Sequence, residues 1–328
     1  MRSTSAWTRI VVFCLAVFVA TLPLWMIDRF LLKVLTFVGL NALVVVGMTL
    51  LFGFAGQVSL GHAGFVGLGA YTCAILVVKV GAPWPLALLA AGLVAGAGGL
   101  LLALPSLRLK GHYLAMATLG FGELMTLLFT EAEPLTGGVN GFTGIPFPSV
   151  GSFVIREPQM LFWLVWGAVG LALLFSANVT SLRPGRAMRA IHGTELGAQA
   201  AGVDVVGTKV RVFVISAIMA GVSGALYASV IGFVSPSVFT VQSSVTFLAM
   251  AVIGGSGSLA GPLLATVALT LLQYLDALIP GLPRQTSALV QEYQADVYGL
   301  AIILVVLFAP RGLAGLWVRG SASKGETP

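Results

Sequence analysis

The chain has 328 residues, of which 58% are hydrophobic and only 9% are charged, whereas about a quarter of the residues of soluble domains are charged. Its net charge of +6 does not indicate nucleic-acid binding, because the 17 Lys and Arg residues are spread between apolar runs and form no basic stripe. The composition excludes an ordinary soluble domain and predicts an integral membrane protein.

Ten apolar runs separated by charged or Gly/Pro-rich breaks predict the membrane spans, since a helix needs about 20 apolar residues to cross the bilayer. The predicted spans are residues 10–27, 34–52, 64–80, 86–104, 113–130, 160–177, 210–233, 239–254, 259–278 and 296–309. The run 64–80 is rich in glycine and the run 239–254 is short. We therefore expect an all-α polytopic bundle of eight to ten spans with broken or re-entrant segments, forming one integral-membrane domain over residues 1–328.

The basic start before the first run is also typical of a secretory signal. No small-residue cleavage site precedes Asp28, so the run 10–27 is expected to remain as a first span.

The distribution of basic residues predicts the orientation, because short cytoplasmic loops collect Lys and Arg. With ten spans and both termini inside, twelve of the seventeen basic residues are cytoplasmic: Arg2, Arg9, Arg108, Lys110, Arg183, Arg186, Arg189, Lys209, Arg211, Arg311, Arg319 and Lys324. The other five fall outside: Arg29, Lys33, Lys79, Arg156 and Arg284. The sequence thus predicts a periplasmic loop at 131–159, a cytoplasmic loop at 178–209 and a cytoplasmic tail at 314–328.

The cytoplasmic loop contains a predicted short helix, in which Thr194 is the N-cap and Gly202 ends the helix. Leu196, Ala200 and Val203 are spaced to give one apolar face. A small apolar helix at this place is suited to docking on a motor subunit. An interfacial helix lying on lipid is the alternative.

This loop resembles the conserved cytoplasmic region of ABC importer permeases, in which a coupling helix inserts into the ATP-binding subunit. The resemblance rests on residues 185–191 and on the residues that follow, and it implies coupling roles for Arg186, Arg189, Glu195, Ala198, Gly202 and Val203. The pair His192-Gly193 and Gly197 depart from the usual pattern of the family.

Four further blocks resemble the hydrophobic amino acid uptake permeases of the LivM type. These blocks are residues 56–63 (GQVSLGHA), 107–123 (LRLKG, YLA and TLGFGE), 136–146 (TGG, NG and TGIP) and 310–313 (PRGL). The family resemblance implies import of branched-chain or other hydrophobic amino acids into a bacterial cell across its inner membrane. It also implies a second, related permease subunit (LivH-like), two ATP-binding subunits and a periplasmic substrate-binding protein as partners.

The chain has no Gly-rich phosphate loop ending in Gly-Lys-Ser/Thr, so ATP hydrolysis is expected in the partner subunits and this chain is not expected to be an enzyme. No metal or other cofactor is expected.

Polar residues at membrane depth are the candidates for the translocation path or gate, because they are costly in lipid. Glu123 lies near the middle of the run 113–130 and either lines a gate or subunit interface or bonds a broken neighbouring helix. Gln57, Ser59 and His62 lie among glycines where helices can break. A lone His among glycines is more often a hydrogen-bonded structural residue, which is the alternative for His62.

The outer segment 136–146 combines glycines with polar residues and is a candidate contact for the binding protein, or else an ordinary solvent loop. Its candidate residues are Thr136, Gly137, Gly138, Asn140 and Gly141.

Other functions fit the sequence less well. A secondary transporter or channel usually carries several charged groups inside its spans, whereas here Glu123 is nearly alone. A urea or short-amide permease of the same broad family remains an alternative that the sequence does not separate from an amino acid permease.

Overall fold

The computed structural model describes residues 28–106, 112–274 and 299–300, which form an almost entirely helical bundle. Its helices are α1 (Arg29–Met48, continued by a π-helix at Thr49–Phe54), α2 (His62–Val78), α3 (Trp84–Ser106), α4 (His112–Glu131), α5 (Glu133–Thr136), α6 (Pro158–Ser181), α7 (Arg183–Gly193), α8 (Glu195–Ala200), α9 (Val205–Ile231), α10 (Val241–Gly254) and α11 (Ala260–Gln273). Single 3₁₀ turns lie at Gly138–Asn140 and Pro236–Val238.

Six segments within the described residues are long and apolar enough to cross a membrane, and α2 and α11 are shorter apolar helices. A polytopic helical bundle is therefore confirmed, whereas the count of ten spans is not. The runs 10–27 and 296–309 lie outside the described residues, apart from 299–300, as does the tail 314–328. Each of the other eight predicted runs overlaps one long apolar helix, and these helices are α1, α2, α3, α4, α6, α9, α10 and α11.

The connections gather at two opposite ends of the bundle. At the end that we call inner, the backbone N–H of Gly257 donates to the carbonyl of Gly53 (3.2 Å). At the outer end, two antiparallel strand pairs form, one between β1 (Phe142–Thr143) and β4 (Phe233–Val234) and one between β2 (Ser149–Val150) and β3 (Phe153–Val154). This sorting agrees with the alternation of loops that the sequence predicts.

The centre of the bundle is built from α1, α2 and α9. Helix α9 packs along α2 and α3, and α1 packs against α6, α9 and α11. Small residues allow this closeness, since a methyl group added at Gly69 or Gly224 would overlap backbone of the facing helix. The resulting core fixes α1 and α9 and leaves α4 at the margin.

Candidate functional sites

The short helix in the inner loop forms as its capping residues predict. Helix α8 begins after Thr194, whose hydroxyl accepts a hydrogen bond from the N–H of Gly197 (3.1 Å). It ends before Gly202, which adopts a left-handed backbone with φ of +75°. The predicted helix is confirmed, one residue shorter than expected.

The faces of α8 differ from the sequence prediction. The side chain of Leu196 is 76% exposed and Ala200 is exposed, so these two form an open apolar surface. Ala198 is only 2% exposed, and with Val203 it packs against Ile191 and Val205. The single apolar face expected for Leu196, Ala200 and Val203 is therefore wrong for Val203, and Ala198 supports the helix from inside.

Charged residues hold the inner loop to its neighbours. The Glu195 carboxylate forms an ion pair with the Lys209 ammonium on α9. The Arg189 guanidinium donates to the carbonyl of Thr180 at the end of α6 (3.0 Å), a favourable place for a cation. Arg186 is exposed to solvent. The loop is thus anchored at both ends while Leu196 and Arg186 stay accessible.

Residues 56–61, which we call the inner linker, join the end of α1 to α2 without regular structure. Gln57 and Ser59 within it are buried, as is His62, the first residue of α2. The His62 ring bonds the hydroxyls of Ser59 (2.8 Å) and Ser216 (2.7 Å), the latter on α9. These three side chains therefore lie inside the bundle, where both nitrogens of the His62 ring have hydrogen-bond partners.

The inner linker also reaches α4. The backbone N–H of Leu60 donates to the Thr118 hydroxyl (2.9 Å), and Gly61 lies directly against the Thr118 carbonyl and Gly122. Irregular backbone at membrane depth is tolerated where protein groups satisfy it, and Thr118 supplies such a group. The sequence contained Thr118 within a family block but gave no reason to assign it a contact.

Glu123 lies on the exposed side of α4, together with Met116, Leu124 and Leu127. An ionised carboxylate facing lipid is costly, so this side requires a protein partner or a water-filled path. The exposed side of α3 differs, since its side chains are apolar throughout, as with Leu86, Leu93 and Leu101. Helix α3 thus has the chemistry of a lipid-facing helix and α4 does not.

Residues 136–141 of the outer segment form an ordered turn between α5 and β1, which we call the knuckle. Thr136 is buried, and its hydroxyl donates to the carbonyl of Phe129 (2.8 Å), so this residue holds the fold of the knuckle. Gly138 is buried, Gly137 and Gly141 are half-buried, and Asn140 is exposed. Val139, which the sequence analysis did not single out, is 75% exposed at the tip. Between residues 136 and 141, the exposed residues are therefore Val139 and Asn140.

A cavity of about 160 Å³ lies between α1, α2, α9, α10 and α11 and was not predicted. Its polar lining includes Asn41, Ser223, Tyr227, Ser243 and Gln273. Asn41 donates to the Thr270 hydroxyl (3.1 Å), and Ser223 donates to the carbonyl of Leu40 (2.8 Å). The signal available in the sequence was Asn41, a lone amide within an apolar run.

A multi-pass helical bundle with an ordered, exposed short helix at one end has the architecture of a membrane transport subunit. The family model described as branched-chain amino acid transport system, permease component, matches residues 30–307, and the chain belongs to this family. The resemblance predicted from the sequence blocks is thereby confirmed.

Three curated relatives illustrate the relationship. The high-affinity branched-chain amino acid transport system permease protein LivM of Escherichia coli K12 is 32% identical, over 92% of this chain and 75% of that protein. The LivH permease of the same system and strain is 26% identical, over 84% of this chain and 91% of that protein. The probable LivM of Methanocaldococcus jannaschii is 26% identical, over 70% and 67% respectively. No solved structure matches the chain with significance.

Proposed function

We propose that this chain is one of two related permease subunits of a binding-protein-dependent ABC importer for branched-chain or other hydrophobic amino acids. ATP is hydrolysed on two separate subunits, and a periplasmic binding protein delivers the substrate. The observation that carries the proposal is α8, a capped helix with an exposed apolar side at the Arg-rich inner end of a permease-family bundle.

The proposed orientation places the inner end in the cytoplasm of a bacterial cell, with both termini on the cytoplasmic side of the inner membrane. Support comes from the basic residues of the inner loop and of the start of α9, since such residues favour the cytoplasmic side. They are Arg183, Arg186, Arg189, Lys209 and Arg211. Fewer basic residues, among them Lys79 and Arg156, belong to the described outer connections.

The second permease subunit is proposed to cover the exposed side of α4. In the 18-residue apolar stretch by which α4 qualifies as a span, only 28% of the residues are buried inside the chain. The corresponding fraction for α1 with its π-helix is 83%. The side left open carries Gly120 and Glu123 among apolar residues. A translocation path between the two permeases would keep the Glu123 carboxylate hydrated or paired, as its charge requires.

Replacement of Glu123 by Gln is expected to reduce uptake by about tenfold, because the charge at this depth is removed. Membrane abundance should stay normal, because the Glu123 side chain is exposed and is not part of the packed core. Glu131→Gln, at the exposed end of the same helix, is the matched control and should transport normally. Uptake is measured with labelled substrate in cells, with abundance checked by immunoblotting. Full uptake by the Glu123 variant would remove this residue from the mechanism.

The substrate class is tested with the complete importer, reconstituted in liposomes with its binding protein and ATP. Labelled leucine is expected to accumulate inside and labelled urea is not. Accumulation of urea alone would assign the chain to the urea or short-amide permeases. Leucine movement without any need for ATP would instead indicate a secondary transporter or channel.

The knuckle tip at Val139 and Asn140 is proposed as a contact for the binding protein, because it is the exposed part of an otherwise buried and ordered segment. In a chain with Cys14 and Cys73 replaced by Ala, a cysteine at Val139 should react with an impermeant maleimide in intact cells. The bulky adduct should then lower binding-protein-stimulated ATP hydrolysis by about fivefold.

Ser152→Cys on the exposed β2–β3 turn is the matched control, expected to label equally without loss of stimulation. Labelling at Val139 only after permeabilisation would reverse the orientation. Labelling without any loss of stimulation would reject the contact.

A further inference from the structure

We propose that the inner linker, residues 56–61, is a positioning element that carries movement of the coupling helix α8 to α4, with His192 and Thr118 as its two end contacts. The inference rests on the proposed function and adds a route within this chain. It gives the linker, His192 and Thr118 a transmitting role that the sequence motifs did not assign to them.

The first part of the route is the joint between α8 and α7. Ala198 of α8 packs on Ile191 of α7, and the N–H of Thr194 donates to the carbonyl of Ala190 (3.1 Å). Because a buried contact and a backbone hydrogen bond join the two helices, a force on α8 displaces α7 with it.

The second part is the contact of α7 with the start of the linker. A methyl group placed on Gly56 would lie 3.3 Å from Nδ1 of His192 and 3.5 Å from its Cα, so the two residues are separated by only about the width of a methyl group. Gly56 has a φ of +67° and marks the point where the chain leaves the π-helix. A shift of α7 therefore meets the linker at its first residue.

The third part is the end of the linker on α4. Thr118 receives the Leu60 N–H, and the backbones of Gly61 and Thr118 are so close that a methyl group on Gly61 would overlap the Thr118 carbonyl. Gly122 also lies against Gly61. With no space between these groups, displacement of the linker end requires displacement of α4.

The surroundings decide which helix yields. The other neighbours of the linker end are α9, to which His62 is tied through Ser216, and α10, whose Ser244 hydroxyl accepts from the Ala63 N–H (2.9 Å). Helix α9 is packed into the bundle centre. Helix α4 is the least buried of the six long segments, with 28% of its apolar stretch inside the chain. Within this chain α4 therefore has the fewest buried contacts to break, and its displacement is passed on to the interface proposed for the second permease subunit. Glu123 follows Gly122 directly and moves with it.

The test is the number of substrate molecules imported per ATP hydrolysed, measured with the reconstituted importer and labelled leucine. Thr118→Val keeps the shape of the side chain but removes the acceptor for the Leu60 N–H. This ratio is expected to fall about threefold or more while ATP hydrolysis continues. Thr118→Ser, which restores the hydroxyl, should recover the ratio.

Thr130→Val is the matched control on the same helix, because among the described residues the Thr130 hydroxyl bonds the carbonyl of Thr126 alone (2.9 Å), within α4 itself. Its ratio should stay normal. His192→Ala removes the contact at the other end, and the double variant with Thr118→Val should lose no more than the stronger single variant. A general folding defect would lower import and ATP hydrolysis together and leave the ratio unchanged.

A normal ratio in both Thr118→Val and His192→Ala overturns the inference, as does a double variant whose losses multiply. If the Thr118→Val protein does not accumulate in the membrane, the ratio of the His192→Ala variant decides the test alone. That variant is expected to fold, because His192 is exposed. Failure of the proposed function is distinguishable, because the wild-type importer would then show no ATP-dependent leucine uptake.

Discussion

Replacement of Leu196 by Asp is expected to reduce ATP-driven uptake by at least about tenfold, although the variant should reach the membrane at normal abundance. Leu196 is 76% exposed and bears no load in the core of this chain. In the proposed importer its side chain enters an apolar cleft of the ATP-binding subunit, where a carboxylate would be desolvated without a partner. Uptake of labelled substrate and co-purification of the ATP-binding subunits measure the effect.

Leu182→Asp provides the matched control, since Leu182 is 59% exposed at the same end of the bundle but lies between α6 and α7, away from α8. This variant should keep both uptake and the attached subunits. If Leu196→Asp retains the ATP-binding subunits and transports at the wild-type rate, α8 is not the docking element. The alternative, an interfacial helix lying on lipid, would then be the better interpretation.

The position of helix α8 shows how much local sequence signals can predict. The Thr194 cap and the Gly202 stop are set by the hydrogen-bonding and backbone preferences of single residues, so the position of α8 was predictable to within one residue. Which side of α8 is open was not predictable from its spacing alone. That depends on Ile191 and Val205, which belong to other helices and cover Ala198.

The inner linker shows the complementary limit. Its glycines indicated a break in the helical run, and a break is present between Phe54 and His62. The burial of Gln57, Ser59 and His62 follows from contacts more than fifty residues away, such as His62 with Ser216 and Leu60 with Thr118. Tertiary pairs of this kind leave no periodic signal in one sequence.

Two similar stretches of the sequence both follow the end of a helix at the inner end of the bundle. Residues 56–61 and 255–260 share a Gly/Ser-rich pattern, and the turn at 255–259 meets the end of the π-helix through the Gly257–Gly53 hydrogen bond. Gly56, Gly255 and Gly257 all have positive φ, a backbone conformation that side chains with a Cβ rarely adopt. The shared pattern reflects a shared need to end a helix abruptly at the inner end.

Replacement of Gly224 by Ala is expected to cause the largest loss of stability, because the added methyl group meets the Val66 carbonyl and the Ala70 N–H, which are backbone atoms of α2. A flexible side chain would turn aside, but here the backbones of two extensively packed helices, α2 and α9, must separate. Overpacking costs about 1–3 kcal/mol, and the backbone obstacle places this variant near 3 kcal/mol. The thermal midpoint in detergent and the abundance in membranes should both fall.

Gly167→Ala and Gly170→Ala on α6 separate this cause from a general sensitivity of helical glycines. Apart from the neighbouring residues of α6 itself, no atom lies within 4 Å of a methyl group at either site. Because Ala is also the better helix former, both variants should be at least as stable as the wild type. Equal stability of Gly224→Ala and Gly167→Ala would mean that α2 and α9 are not in close contact. Because the inner linker leads directly into α2, loosening this contact should also uncouple uptake from ATP hydrolysis at temperatures where the protein is still folded.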